Sequence, residues 1–276
     1  MNMRTMLRMC GALFLLSVLY FALGVSAQAS SATAVWPEHP GTSVQDDGKL
    51  SVDASHADLG YVMACVSAPS GKGMKLRVSY NGAQLMYDLD KGGAYATLPL
   101  QLGSGKYVFE LFENVKGTKY AAQGKISLSV ELVDENAAFL VTNQYIDYNF
   151  KSPTVFSSDA LTATMTDQQQ IYQAVCDYIA QNFSYDFVRA KTIGAGELPE
   201  VDPCFAKKAG ICQDLSAVMV CMLRVQGIPA KLMIGYADKN YHAWTTAVVN
   251  GKEIFFDPTA AVGALNAKNY QIERYY

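Results

Sequence analysis

Nowhere does the sequence hold an apolar run long enough for an ordinary membrane-spanning helix. The longest, Cys10 to Gly24, is about 15 residues against the roughly 20 that a bilayer requires. No block of Lys or Arg occurs and the net charge is only −3, which argues against nucleic acid as a partner. The acidic residues are scattered, without the Asp-rich loop of a calcium site. Six cysteines over 276 residues are too few for a disulfide-built scaffold. They also lack the close paired spacing of structural zinc sites, so a set drawn from Cys204, Cys212, His242 and Asp257 reads poorly as a metal centre. Histidines number three, which leaves few candidates for a general base. His39 and His56 stand apart from any reactive constellation and read as surface residues. No cofactor motif is present.

What is there concentrates between Lys207 and Thr259. Gly210 breaks the chain ahead of Cys212, after which Leu215, Val218, Met219, Met222 and Leu223 recur at helical spacing. Gly227-Ile228-Pro229 stops that helix, with Arg224 in its last turn. Cys212 is therefore expected in or beside the first turn, where free amides and the helix dipole favour negative charge on sulfur and could hold an oxyanion. Cys221, half a turn out of phase on the same helix, points to the core.

Ala243–Val249 and Lys252–Phe256 read as strands joined by Asn250-Gly251, a strong hairpin signal. A two-residue turn sets Trp244 opposite Asp257, which makes His242 its diagonal neighbour on the same face. A thiol, a base and a group to orient the base thus arrive in order: the elements of nucleophilic acyl transfer.

These residues resemble the transglutaminase-like cysteine superfamily. Gly-Ile-Cys-Gln-Asp-Leu-Ser stands at a helix start and Leu-Arg-Val-Gln-Gly-Ile-Pro-Ala-Lys at its end. His-Ala-Trp follows on a strand, and Asp-Pro-Thr closes the next. Asn-Phe-Ser-Tyr-Asp at 182–186 is similar to the segment preceding the nucleophile helix in bacterial members. The resemblance covers residues 165–260 and implies Cys212 as nucleophile, His242 as base and Asp257 as its orienter. It also implies a papain-like or transglutaminase-like α+β core, with the nucleophile helix packed on an antiparallel sheet. Gly210, Gln213, Tyr236, Tyr241 and Trp244 are the candidates for the substrate cleft.

The rest of the chain divides by composition. Arg4 and Arg8, the apolar run and Val25-Ser26-Ala27 read as a signal peptide over residues 1–27, with an uncleaved anchor as the alternative. Secretion or display at the cell surface is the expected localisation, with no membrane contact after cleavage. An odd number of cysteines then remains, with Cys212 as the free thiol and Cys176 and Cys204 placed to pair or not. Residues 28–45 are expected to form a flexible lead-in. Over 46–135, alternating apolar residues such as Leu76-x-Val78 and Tyr107-x-Phe109-x-Leu111, punctuated by glycine and by Asn81-Gly82, predict a β-sandwich. It reads as a spacer or folding partner, or else as a docking module. Residues 136–276 form the expected catalytic domain. Within it, Ala137–Tyr148 reads as a short helix or strand broken at Ser152-Pro153, and Thr166-Asp167-Gln168-Gln169 as a helix cap. The loop Ala190–Cys204 reads as a cleft wall or lid.

The expected function is acyl transfer or hydrolysis on protein or peptide amides through a thioester, with the substrate possibly in the cell wall. The contrasting expectation is an inactive surface-binding protein that uses the sandwich and keeps a vestigial triad.

Overall fold

The computed structural model describes residues 34–276, which form one compact unit. The expected signal segment lies outside the described residues. Eight strands come first: β1 Val44–Asp46, β2 Leu50–Asp53, β3 Tyr61–Val66, β4 Met74–Tyr80, β5 Ala83–Leu89, β6 Ala96–Pro99, β7 Gly105–Lys116 and β8 Lys119–Val130. They make two antiparallel sheets, ordered β1-β2-β3-β6 and β5-β4-β7-β8. The period-2 pattern explains their faces. Met74, Leu76 and Val78 are buried, while Lys75, Arg77 and Ser79 look outward. Tyr107, Phe109 and Leu111 do the same on β7. The outer face carries an ion-pair ladder, Arg77–Glu110 at 2.7 Å and Lys75–Asp88 at 2.7 Å.

The described part of the expected lead-in is held in place. Trp36 packs on the core, Gly41 N–H donates to Asp53, and β1 pairs with β2. Its small polar residues predict freedom, whereas the short edge strand β1 anchors it.

The second half is helical around one further sheet. Its helices are α1 Pro153–Thr162, α2 Gln168–Asn182, α3 Arg189–Thr192, α4 Val201–Lys207, α5 Cys212–Arg224 and α6 Pro258–Ala261. Strands β9 Ser184–Tyr185 and β10 Ala209–Gly210 pair in parallel. Strands β11 Ala230–Ala237, β12 Asn240–Val249, β13 Lys252–Phe256 and β14 Tyr270–Tyr275 form an antiparallel sheet ordered β13-β12-β11-β14. Helix α5 lies on β11 and β12 and is almost wholly buried. Helix α2 starts at Asp167, whose carboxylate accepts from Gln170 N–H, and its Ile171, Val175 and Ile179 pack inward. Ala137–Tyr148 holds only a single 3₁₀ turn and one bridge, and Ser152-Pro153 opens a helix rather than ending one. Proline suits the first helical position because its missing N–H would be unpaired there.

The junction near residue 135 is crossed repeatedly. Tyr145 Oη donates to Met86 O and Asp88 N–H to Gln144, and Gln101 Nε2 donates to Tyr275 O. Tyr276 stacks on Tyr145 with ring centroids 3.5 Å apart. One apolar core runs through both halves. At its centre lies Arg224, fully buried. Its guanidinium donates to the carbonyls of Val141, Ala230 and Tyr276 at 2.5–3.1 Å. Burial lowers its pKa to about 10. Its place in the last turn of α5 predicts only a complement to the helix end.

Candidate active site

The hairpin forms in the expected register. Thr245 pairs with Phe256 and Val249 with Lys252, and Asn250 and Gly251 both take positive φ, 49° and 75°. Ladder pairing stops one residue short of Asp257, which instead caps α6: its Oδ1 accepts from Thr259 N–H at 2.8 Å and Ala260 N–H at 3.2 Å. The turn sets the register, the cap fixes the carboxylate, and Oδ2 is left facing His242. His242 Nε2 lies 2.9 Å from it, with both side chains buried. That contact leaves Nδ1 of the imidazole for another partner.

Cys212 is the first residue of α5 and is half-buried. It is close enough to His242 to act on the imidazole's proton affinity. Burial pulls the His242 pKa down, but hydrogen bonds to Asp257 and Cys212 outweigh it and raise the value to about 9. Burial pushes Asp257 up, and this is more than offset by His242, Tyr270 and the Ala260 amide, which hold it below the usual carboxylate range.

The other four described cysteines are also free thiols, so Cys176 and Cys204 are not joined. Burial pushes both of these up to about 12 and lifts Cys65 and Cys221 as well. Ionisation is thereby suppressed at these four buried thiols.

A cavity of about 720 Å³ opens over Cys212 and His242. Gln213 and Tyr241, among the expected cleft residues, line it; Gly210, Tyr236 and Trp244 do not. Gly210 is buried under the first turn of α5, where an added Cβ would stand 2.6 Å from Cys204 Sγ and 2.8 Å from Asp214 Cβ. It is needed for close approach, not for substrate. Trp244 is a core residue stacked beside His242, with ring centroids 6.3 Å apart. Tyr236 and Tyr241 meet edge to face, and only the second borders the cavity. Residues 193–199 of the expected wall loop do line it.

Several contributors were missed in the sequence. Tyr270 Oη donates to Asp257 Oδ2 at 2.8 Å, so one oxygen receives both the imidazole and a phenol. Burial and the Asp257 charge raise the Tyr270 pKa, which keeps the phenol a donor. β14 can bring it there because Gly235 on β11 has no side chain: a Cβ would stand 1.9 Å from Gln271 O.

Asp214, buried in the first turn of α5, accepts from Ile211 N–H, Glu200 N–H and Arg189 Nε at 2.8–3.1 Å. It therefore ties the loop that lines the cavity to α5. Its position, an acidic residue three after the helix cap, was the available signal. Tyr185, in the Asn-Phe-Ser-Tyr-Asp motif, lines the cavity too. Burial, then the charges of Cys212 and Asp214, push it up to about 12.

Among the described residues no group of three or more His, Cys, Asp or Glu could hold a metal ion, and no helix is long and apolar enough to cross a membrane.

No curated protein matches the chain. Among solved structures, a candidate cysteine protease from Cytophaga hutchinsonii aligns over 80% of this chain and 69% of its own, at 16% identity and a TM-score of 0.41. The periplasmic domain of TgpA from Pseudomonas aeruginosa aligns over 80% of this chain and 96% of its own, at 15% identity and a TM-score of 0.38. The family model of the transglutaminase-like superfamily matches residues 157–258, a span that includes Cys212, His242 and Asp257. The segment 157–258 of this chain is thus transglutaminase-like, as its motifs implied.

Proposed function

We propose that the chain is a cysteine enzyme acting on protein or peptide amides, with Cys212 as nucleophile, His242 as general base and acid, and Asp257 as the group that holds the imidazole. The observation that carries this reading is the 2.9 Å His242–Asp257 contact beside a helix-start cysteine, with Cys212 and His242 both lining one cavity. Cys212 Sγ attacks the amide carbonyl while His242 takes the thiol proton. The tetrahedral oxyanion sits against amides of the first turn of α5, which have no partner inside the helix. Collapse breaks the C–N bond, His242 returns the proton to the departing amine, and a thioester remains. Water then yields a carboxylic acid; a second amine yields a new amide. Asp257 keeps Nε2 occupied so that Nδ1 faces the sulfur, and it takes no proton itself.

Export by the leader over residues 1–27 and a β-sandwich built from the two N-terminal sheets complete the reading.

Alkylation of the purified protein by chloroacetamide tests it. Cys212 is expected to react first among the thiols, and His242→Ala to slow that reaction. A rate indifferent to His242 supports instead a binding protein with a vestigial triad. Mass spectrometry of a peptide library after incubation then separates cleavage, deamidation and crosslinking by product mass.

A further inference from the structure

The two N-terminal sheets do not stand clear of the cavity. Lys75 on β4 and Met86 and Asp88 on β5 line it together with Cys212 and His242. They belong to the outward face of their sheet: Lys75 pairs with Asp88, Met86 with Arg77, and Leu85 and Tyr87 turn inward. A surface that would otherwise face bulk water therefore borders the reactive thiol.

The wall is held firmly. Met86 O accepts from Tyr145 Oη at 3.1 Å and Asp88 N–H donates to Gln144 at 3.1 Å, so the β5 edge is pinned to the catalytic half. Met86 is 41% exposed, a large apolar side chain left uncovered next to the Lys75–Asp88 ion pair. Ile193, Leu198 and Ile234 add apolar surface from other elements. A volume of about 720 Å³ exceeds what one side chain fills and suits a short stretch of chain.

We propose that the β4–β5 face is a specificity wall: an extended peptide with its scissile amide at Cys212 packs an apolar side chain on Met86. This rests on the catalytic reading above. An unbranched thioether suits the task because it adapts to differently shaped apolar partners. The N-terminal sheets then select substrate directly, and are neither a spacer nor a remote docking module.

The test uses the full chain and N-acetylated tripeptidyl chloromethyl ketones carrying Leu, Ser or Asp at each position in turn, with chloroacetamide as the small probe. In each reagent the Cys212 sulfur displaces chloride from the methylene carbon. The ratio of peptidyl to small-probe labelling is expected to favour Leu at one position. Met86→Asp is expected to cut that preference about tenfold, the scale of one apolar contact, and Met86→Leu to keep it. Met86→Ser gives the same readout should the aspartate disturb the edge strand. An absent Leu preference, or one that survives both polar substitutions, overturns the wall and leaves the triad standing. Labelling by both probes that ignores His242→Ala overturns triad and wall together.

Discussion

Two Asn-Gly hairpins with the same turn chemistry each supply residues to this cavity. Asn81-Gly82 joins β4 to β5 with φ of 44° and 86°, and Asn250-Gly251 joins β12 to β13 with 49° and 75°. Each fixes a two-residue loop and hence a register. One register brings His242 to Asp257; the other sends Met86 and Asp88 to the face that borders the thiol. Turn chemistry decides which residues share a face. The identity of those residues, and what packs on them, decides whether the face reacts or recognises.

The comparison breaks most sharply at the reacting groups. Cys212→Ala or His242→Ala is expected to lower turnover at least about a thousandfold, while Met86→Ser lowers only kcat/KM for the preferred peptides. Steady-state kinetics on a cleaved or deamidated library peptide separates the two. Equal losses from both hairpins would mean that the N-terminal wall does more than select.

Tyr270→Phe comes next. It removes one donor from Asp257 Oδ2 without touching the cap bonds on Oδ1, and an expected loss of about tenfold in kcat corresponds to one hydrogen bond to a charged group. Unchanged kcat would make Tyr270 a packing residue alone.

Titration sharpens the contrast, because the N-terminal hairpin faces contain no histidine. The His242 pKa is about 9 in the folded protein against an ordinary 6.5. Its contribution to stability is thus complete below pH 6.5 and disappears as pH rises through about 9. Asp257, lowered from 3.8, contributes above that value and loses its contribution as pH falls through its folded pKa. Tm is therefore expected to decline between pH 7 and 10, and to decline less in Asp257→Asn. Parallel declines in both proteins would contradict the pairing.

Gly82→Ala and Gly251→Ala make a matched pair. Neither position has an atom within 4 Å of an added Cβ, so each substitution costs about 1 kcal/mol of left-handed strain and little else. Equal shifts in Tm are expected, with greater loss of activity from Gly251→Ala. The smallest effect is on the outer ladder. Lys72→Ala, which removes an exposed partner of Glu113, should change stability by less than about 1 kcal/mol by denaturant titration.

What the sequence disclosed follows from how local each signal was. The helix at Cys212, the strands and both Asn-Gly turns depend on neighbours within a few residues, and periodicity exposes those. His242 and Asp257 were legible together because a two-residue turn converts sequence spacing into spatial pairing. Tyr270 was not, since it reaches Asp257 through β14, a strand whose place beside β11 is set by Gly235 and a bulge. Nor was the Met86 wall, which exists only after two halves of the chain meet. Ser152-Pro153 is ambiguous in sequence because proline both ends and begins helices.

Arg224 ties three separate segments of the C-terminal half by a means no hydrophobic contact offers. Its planar fork reaches carbonyls from Val141 ahead of α1, from β11 and from Tyr276. Freeing any one of those strands of chain leaves a buried cation short of acceptors. Loss of any one of these segments withdraws acceptors from the same cation, so Arg224→Lys, whose ammonium cannot span the same three oxygens, is expected to lower Tm in a calorimetric scan.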